Sequence, residues 1–259
     1  MSVSTITFEQ AQETWAFTPM RNFQSLVDDD LFRIALWNTV VFAIASVIIE
    51  TILGLALAIL VASVTAFKGI MRTVLIIPVL MPPVAIGSMW KLMYSHDFGV
   101  FNQFITFLGF GPVNWLGSTS LALISVIIVD VWHWTPFVFL ILFAAVEGLP
   151  KEVIEAARVD GATNRDIVFK IIIPLLMPAI AVAVLFRTIL AFKVFDQIFL
   201  LTSGGPGTST EVVSLHLYKV FFAQNDMGYG AMLSLAIIAS TIAFLLVGQR
   251  ASAAFGGKR

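Results

Sequence analysis

Residues 148–178 read GLPKEVIEAARVDGATNRDIVFKIIIPLLMP and join a short charged segment to a long apolar one. Pro150 suits the first turn of a helix, where its missing N–H costs no hydrogen bond, and the residues after it are mostly good helix formers. Gly161 predicts a helix stop and a turn. Thr163, with Asp166 three residues later, predicts the N-cap of a second helix. The stretch therefore predicts a short helix, a turn and a second helix that continues into an apolar span.

The first of these helices carries a narrow apolar strip. Val153, Ile154 and Ala157 can lie on one side of it, and the small side chains of Ala156 and Ala157 permit close approach by another surface. The residues alone leave two interpretations open. The helix is either an ordinary amphipathic segment at a membrane surface or a contact site for another protein.

The composition of the whole chain is that of a membrane protein. Of its 259 residues, 59% are hydrophobic and 12% are charged, and the mean hydropathy is +0.95. Soluble domains have about half apolar and about a quarter charged residues. A net charge of −1 argues against a nucleic-acid partner. Because the chain has no cysteine, it has no thiolate metal site or cysteine nucleophile.

Five apolar stretches reach the roughly 20 residues that a helix needs to cross a bilayer. They are Ile34–Val61, Val74–Tyr94, Leu121–Val146, Ile171–Leu201 and Tyr229–Val247. The sequence thus predicts an all-α, polytopic transmembrane domain over residues 34–247. Internal prolines stand at Pro78, Pro82, Pro83 and Pro136, and helix bundles tolerate them because neighbouring helices satisfy the freed backbone groups.

The basic residues outside the spans predict the orientation of the chain. One side of the predicted membrane holds nine of them: Lys68, Arg72, Lys151, Arg158, Arg165, Lys170, Arg250, Lys258 and Arg259. The other side holds four: Arg21, Arg33, Lys91 and Lys219. Because the more basic side faces the cytoplasm, the loop at 148–170 and the tail at 248–259 are expected there. Residues 1–33 are then extracytoplasmic.

An acidic tail outside the cell needs an explanation, since residues 1–33 show no signal peptide. Either the tail crosses the membrane together with the first span, or a further span precedes residue 1.

Within the opening stretch, one set of residues resembles the EAA signature of ATP-binding-cassette importer permeases. That signature reads EAA, three residues, G, nine residues, I, one residue, L, P, and the single departure is Ile173 in the place of Leu. The resemblance implies that the first short helix docks on an ATPase subunit, that Glu155 makes a polar contact there and that Gly161 permits the turn. The ATPase-coupling residues would be Glu155, Ala156, Ala157, Asp160, Gly161, Ile171 and Pro174.

Three longer segments resemble the sugar-type permeases, similar to the membrane subunits of maltose, glycerol-phosphate and trehalose importers. They are WNTVVFAIASVIIETILGLALAILV at 37–61, VWHWTPFVFLILFAAVEGLPKEVIEAARVDGA at 131–162 and FDQIFLLTSGGPGTSTEVVSLHLYKVFF at 195–222. The resemblance implies the type I importer permease fold and a sugar or related carbohydrate as substrate. It also implies four kinds of partner: a second permease subunit in a heterodimer, two ATPase subunits holding ATP and Mg²⁺, an extracytoplasmic solute-binding protein, and membrane lipid.

The same resemblance bears on the N-terminus. Such permeases usually have six core spans, and residues 19–25, PMRNFQS, resemble the end of the external loop that follows the first of them. We therefore expect a sixth span upstream of residue 1.

Candidates for the substrate path combine aromatic faces with hydrogen-bonding groups. They are Asp130, Trp132, His133, Trp134, Phe192, Phe195 and Gln197. The alternative is structural, since aromatic residues are common at span ends and Glu50 and Asp130 can form packed hydrogen bonds to a neighbouring helix. Lys193 and Asp196 are three residues apart and are predicted to pair on one helix face; the alternative is that they line a polar path.

The Gly-rich turn after the fourth span is a further candidate. It lacks the Lys-Ser/Thr ending of a nucleotide-binding loop. It is either a plain tight turn or, by the resemblance, a surface for the external binding protein formed by Gly204, Gly205 and Pro206.

Two other functions compete with an importer subunit. An ion-coupled secondary transporter would use intramembrane carboxylates such as Glu50 and Asp130, but it has no need of the EAA spacing. An intramembrane enzyme is disfavoured because the three histidines, His96, His133 and His216, are scattered and no HExxH or GxSxG motif occurs. No catalytic residue and no metal site is expected in this chain.

Overall fold

The computed structural model describes residues 2, 4–9, 12–17, 19–64 and 66–256, and most of these residues are helical. In this part of the chain four helices are long and apolar enough to cross a membrane. They are Asp30–Ser63, Ala122–Glu147, Asn164–Phe192 and Met227–Gly248. A bent pair of shorter helices is the fifth candidate, so the prediction of an all-α bundle with about five spans is confirmed.

An antiparallel strand pair precedes the helices. Strands β1 (Ser4–Glu9) and β2 (Gln12–Phe17) pair in a register that places Ser4 opposite Phe17. Helix α1 (Pro19–Asp28) follows them. The strands were not predicted, although the alternating threonines of STITFE favour extended backbone. The extracytoplasmic position of residues 1–33 stays a prediction.

The first span begins earlier than predicted and the second is broken. Helix α2 runs from Asp30 to Ser63. It begins four residues before the predicted start at Ile34. The predicted span Val74–Tyr94 consists of α3 (Lys68–Leu80) and α4 (Pro83–Met93), which meet at a bend of 93°. The cause is local. Met81 takes an extended ψ of 138°, as expected before a proline, and two successive prolines offer no N–H to continue the helix.

The external loop between the second and third spans contains a short helix. Helix α5 spans Val100–Phe107, and α6 spans Ala122–Glu147. Asn102 holds the loop together, because its amide nitrogen donates to the carbonyls of Val113 and His96 and its amide oxygen accepts from the Val113 N–H. Asn102 thus holds the loop in a compact turn.

The opening stretch folds as a helix, a turn and a second helix. Helix α7 covers Lys151–Val159 and α8 covers Asn164–Asp166; a π-helical segment at Ile167–Ile172 then leads into α9 (Ile173–Phe192). The π-helical segment was not predicted. It lies directly before Pro174, whose ring would clash with the carbonyl of Lys170 in a regular α-helix.

The last third of the chain corrects one predicted boundary. The fourth span was expected to reach Leu201, but α9 ends at Phe192 and a separate helix, α10, covers Asp196–Leu201. Helix α11 (Val213–Tyr218) continues as a π-helical segment at Lys219–Ala223. Helix α12 (Met227–Gly256) contains the last span.

The chain divides into two compact units. The first consists of Met1–Ala43, Pro83–Val126 and Ile189–Arg259, and the second of Ile44–Pro82 and Ile127–Thr188. The first unit packs an aromatic group in which Tyr94 contacts Trp90, Phe101 and Trp115. In the second unit, Val138, Phe139 and Leu142 of α6 pack with Ala58 of α2 and Ala183 of α9.

Candidate functional site

Helix α7 ends in a turn that requires glycine. The N–H of Gly161 donates to the carbonyl of Arg158 at 3.1 Å, and the N–H of Ala162 donates to the carbonyl of Ala157 at 2.9 Å. This pair of bonds is the Schellman motif, with Gly161 in the left-handed region at φ 83°. A side chain at 161 would strain the backbone there. The predicted stop at Gly161 is confirmed.

The second helix of the stretch starts with a capping box. The N–H of Asp166 donates to the Thr163 hydroxyl at 3.2 Å, and the N–H of Thr163 donates back to the Asp166 carboxylate at 3.3 Å. Lys170 forms an ion pair with the same carboxylate at 2.6 Å. Thr163 is therefore the N-cap that the sequence predicted, and the turn between α7 and α8 is held from both ends.

Helix α7 has two different faces. Ile154 and Ala157 are half-buried and pack against the apolar cluster around Ile167 and Leu176. Val153 lies one turn before Ala157 and so belongs to the same side of α7, but it is 42% exposed. Ile154 and Ala157 are therefore the packed part of the predicted apolar strip, and Val153 lies at its edge toward solvent.

The opposite face of α7 is open to solvent. Glu152, Glu155, Ala156 and Val159 are exposed, and Val159 reaches 87% exposure. Asp160 caps the C-terminus of α7 and is exposed as well. Two carboxylates, a small residue and an uncovered valine thus form one surface on a helix of nine residues. Of the other predicted coupling residues, Gly161 is exposed, whereas Ala157, Ile171 and Pro174 are half-buried. Ala157 and Ile171 pack in the same apolar cluster.

A buried ion triad joins three spans of the second unit. Arg187 of α9 places Nε 2.5 Å from Oε2 of Glu50 in α2, and its Nη2 donates to Oε1 of Glu50 at 2.9 Å. The same Nη2 donates to Oδ2 of Asp130 in α6. All three side chains are at most 2% exposed. The prediction that Glu50 and Asp130 bond to a neighbouring helix is confirmed, and Arg187 is the partner.

Arg187 also explains the position of Trp134. The guanidinium carbon lies 5.1 Å from the centre of the Trp134 ring, within the range of a cation–π contact. His133 is buried beside it, with ring centroids 4.9 Å apart. Trp132 is half-buried. Of the four path candidates of the second unit, Asp130 is thus a member of the triad, Trp134 contacts Arg187 and His133 lies beside Trp134. The sequence analysis did not find Arg187 as the partner; the signal was one basic and two acidic residues within three apolar spans.

The path candidates of the first unit have packed positions. Phe192 is 1% exposed, with its ring 5.0 Å from that of Phe244. Phe195 stacks on Phe199 at 5.3 Å, and Gln197 is buried in α10. Their role as substrate ligands stays a prediction.

The predicted ion pair of Lys193 and Asp196 is wrong. Because α9 ends at Phe192 and α10 begins at Asp196, the two residues do not share a helix face, and both are exposed. No salt bridge joins them in the described chain.

The Gly-rich turn after α10 is fixed to the first span. Asn38 in α2 donates to the carbonyls of Thr208 and Glu211, each at 2.9 Å. The hydroxyl of Thr39 accepts the N–H of Val213 at 3.1 Å. Asn38 and Thr39 therefore anchor the segment that directly follows the turn, a role that only the long-range fold reveals.

Glycine at 204 is required by space as well as by conformation. A Cβ at this position would lie 2.0 Å from Oε2 of Glu211, and Gly204 has a φ of 93°. That buried carboxylate pairs with Nζ of Lys219 at 2.6 Å. Gly204 is buried, Gly205 and Pro206 are half-buried, and Ser203 is exposed on the other side of them, so the exposed tip after Pro206 is formed by Gly207 and Thr208. The turn at Gly204–Pro206 is thus held rigidly and is called the Gly-rich rim below.

The sequence matches a known protein family and is similar to several named transport proteins. The model of the family described as "Binding-protein-dependent transport system inner membrane component" matches residues 50–255. The trehalose/maltose transport system permease protein MalF of Thermococcus litoralis is 37% identical over 237 residues, covering 90% of this chain and 80% of the relative. The trehalose transport system permease protein SugA of Mycobacterium tuberculosis is 33% identical over 245 residues, covering 94% and 78%.

A further relative is named for a different substrate, and a solved structure shares the fold. The sulfoquinovosyl glycerol transport system permease protein SmoG of Agrobacterium fabrum is 33% identical over 223 residues, covering 86% of this chain and 72% of the relative. A crystal structure of a bacterial ABC transporter that imports the acidic polysaccharide alginate contains a chain with TM-score 0.82. That match covers 95% of this chain and 85% of the other at 21% identity, so it establishes the fold alone.

Proposed function

The chain belongs to the family of binding-protein-dependent transport system inner membrane components, and on this premise we propose that it is a transmembrane permease subunit of an ATP-binding-cassette importer for a sugar or related carbohydrate. It is a multi-pass inner-membrane protein. The sugar class is supported by the names of the curated relatives, which include trehalose, maltose and sulfoquinovosyl glycerol systems.

The open face of α7 is the observation that supports coupling to an ATPase. Glu155 and Ala156 are exposed on a short helix whose other face is packed and whose end is fixed by Gly161 and the capping box. A helix held in this way transmits force to α9 without bending at the turn. We assign the loop at 148–170 and the tail at 248–259 to the cytoplasm, where α7 docks on an ATPase subunit.

The remaining parts of the importer follow from this assignment. ATP and Mg²⁺ belong to two partner ATPase subunits, and this chain is not itself an enzyme. A second permease subunit completes the translocation path. The rim at Gly204–Pro206, with the exposed tip beside it, faces an extracytoplasmic solute-binding protein. Closure of the ATPase pair moves α7, which reorients the attached spans and opens the path to the outside.

Reversal of charge on the open face tests the docking. We expect Glu155→Lys to weaken retention of a co-expressed ATPase subunit by more than roughly tenfold, because reversing one partner of a charged contact costs about 2 kcal/mol or more. Gly161→Asp should have a similar effect by straining the turn at φ 83°. The measurement is co-purification of the ATPase with the tagged chain, followed by ATP-dependent uptake in proteoliposomes.

The matched control reverses an exposed carboxylate elsewhere. Asp97 is 87% exposed and lies in the loop between the second and third spans, so Asp97→Lys changes the net charge equally and should leave ATPase retention unchanged. Full retention of the ATPase by both Glu155→Lys and Gly161→Asp would contradict the docking.

The ion-coupled alternative loses its main support. It rested on intramembrane carboxylates, and both Glu50 and Asp130 are bonded to Arg187. No specific observation favours it over the importer.

A further inference from the structure

A cavity lies between α7 and the ends of the neighbouring spans. Its volume is about 710 Å³, and it lies entirely within the second unit. Its apolar walls come from the ends of two spans and the start of a third, represented by Ile59 of α2, Val146 of α6 and Ile167 of the π-helical segment. Its polar rim includes Lys68, Lys151, Arg158 and Asn164. The cavity is therefore part apolar and part basic.

The basic rim has an excess of positive charge. Glu147 is the one carboxylate among the lining residues, and it pairs with Lys68 at 3.0 Å. Lys151 and Arg158 lie four residues before and three residues after Glu155 on α7, and no salt bridge joins either of them to a carboxylate among the described side chains. Two cations beside an apolar wall suit a ligand that carries both a negative charge and a hydrocarbon chain.

We propose that this cavity binds an anionic phospholipid, with its phosphate beside Lys151 and Arg158 and an acyl chain along Ile59 and Val146. The cavity lies where three spans end, which is the depth of lipid headgroups, and basic pockets between spans on the cytoplasmic side bind such headgroups. The cytoplasmic side is taken from the proposed function. Free phosphate would use the two cations but would leave the apolar walls uncovered, and so the lipid is the better fit.

The bound lipid supports the coupling helix from behind. Ile154 and Arg158 line the cavity, whereas the exposed residues Glu152, Glu155 and Val159 are not part of its lining. A lipid in the cavity thus leaves the docking face free and fills the space into which α7 would otherwise move. The ligand is a structural lipid of the subunit, separate from the transported solute.

The test measures the thermal midpoint, Tm, of the full chain purified in detergent. Phosphatidylglycerol, phosphatidylcholine with the same acyl chains, and inorganic phosphate are added separately. At lipid concentrations well above Kd we expect phosphatidylglycerol to raise Tm by about 5 °C more than phosphatidylcholine does. The difference should vanish in the double variant Lys151→Gln/Arg158→Gln. It should persist in Arg72→Gln/Arg165→Gln, which removes two cations of the same side outside the cavity.

Several results would overturn the proposal. They are equal shifts from the two lipids, an undiminished phosphatidylglycerol shift in the double variant, an equal shift from inorganic phosphate, or displacement of the lipid by the ATPase subunit. If the double variant does not fold, native mass spectrometry of lipid retained by Arg158→Gln decides instead, and full retention overturns the proposal. Glu155→Lys should keep the lipid shift, so a failure of ATPase docking and a failure of lipid binding are distinguishable.

Discussion

Arg187 is the side chain on which the interior of the second unit depends. It is among the largest fully buried side chains and contacts carboxyl groups of two other spans. A lone guanidinium in a bilayer is costly, and so is a lone carboxylate, whereas the triad lets each group satisfy the others. With both carboxyl groups ionised the triad carries one more negative than positive charge. Arg187, the single cation, is therefore the member whose removal should destabilise the protein most.

This asymmetry gives a prediction for matched neutral substitutions. Arg187→Gln leaves two facing carboxyl groups without a cation and should lower stability by about 3 kcal/mol or more. Glu50→Gln leaves one carboxylate beside Arg187 and should cost clearly less. The measurement is the amount of protein recovered from membranes together with Tm in detergent. Equal losses for the two variants would show that the triad is not organised around Arg187.

Pairing within the triad was beyond the reach of sequence reasoning for a physical reason. Glu50, Asp130 and Arg187 are separated by 57 to 137 positions along the chain, and apolar spans carry little periodicity that would show which face of each helix points inward. By contrast, Gly161 and Thr163 act through bonds to residues within five positions. Interactions between residues so close in the chain can be recognised in the sequence, which is why the turn after α7 was predicted correctly.

At the scale of elements, Asp29 connects three helices of the first unit. One carboxylate oxygen accepts the N–H of Phe32 at 2.9 Å and so caps α2. The other oxygen lies 2.7 Å from Nε2 of His216 in α11 and accepts the hydroxyl of Tyr229 in α12. Burial alone would raise the pKa of this carboxyl, but the hydrogen bonds from Tyr229, Phe32 and His216 lower it below its ordinary value of 3.8.

The lowered pKa of Asp29 fixes the pH dependence of this junction. A carboxyl whose pKa falls on folding contributes stability above its unfolded pKa and loses that contribution as pH falls through the folded value. Asp29→Asn should therefore lower stability by about 2 kcal/mol near pH 7. The gap in Tm between wild type and variant should close as the pH is lowered below 3.8. Asp28→Asn, an exposed neighbour, is the control and should match wild type; a gap that widens in acid would contradict the role of Asp29.

Helix ends and breaks were predicted unevenly, and the difference again has a physical cause. The prolines at 82 and 83 indicated a kink, but no local rule sets its size, which the surrounding packing determines. The end of α9 at Phe192 was not predicted, because residues 193–201 are still mostly apolar and the charged residues Lys193 and Asp196 suit a helix as well as a turn. Packing of α10 against α4, where Leu200 lies over Gly87, decides that boundary.

At the scale of the whole molecule, orientation in the membrane is the statement on which the proposed roles of α7 and the Gly-rich rim both depend. It rests on nine basic residues against four, because each cation near a span end favours the cytoplasmic side. The two surfaces are assigned to opposite sides of the membrane. An experiment on sidedness therefore tests both assignments together, without knowledge of the transported sugar.

The absence of cysteine makes that experiment clean, since every reactive thiol will be an introduced one. Arg165→Cys places a thiol at an exposed position beside α7, and Thr208→Cys places one at the exposed tip after α10. A membrane-impermeant maleimide should label Thr208→Cys in intact cells, and Arg165→Cys only after the membrane is opened. Ala183→Cys, at a fully buried position, should stay unlabelled in both conditions until the protein is denatured. Labelling of Arg165→Cys in intact cells would place α7 outside, away from any ATP, and docking on an ATPase would then be impossible whatever the shape of its surface.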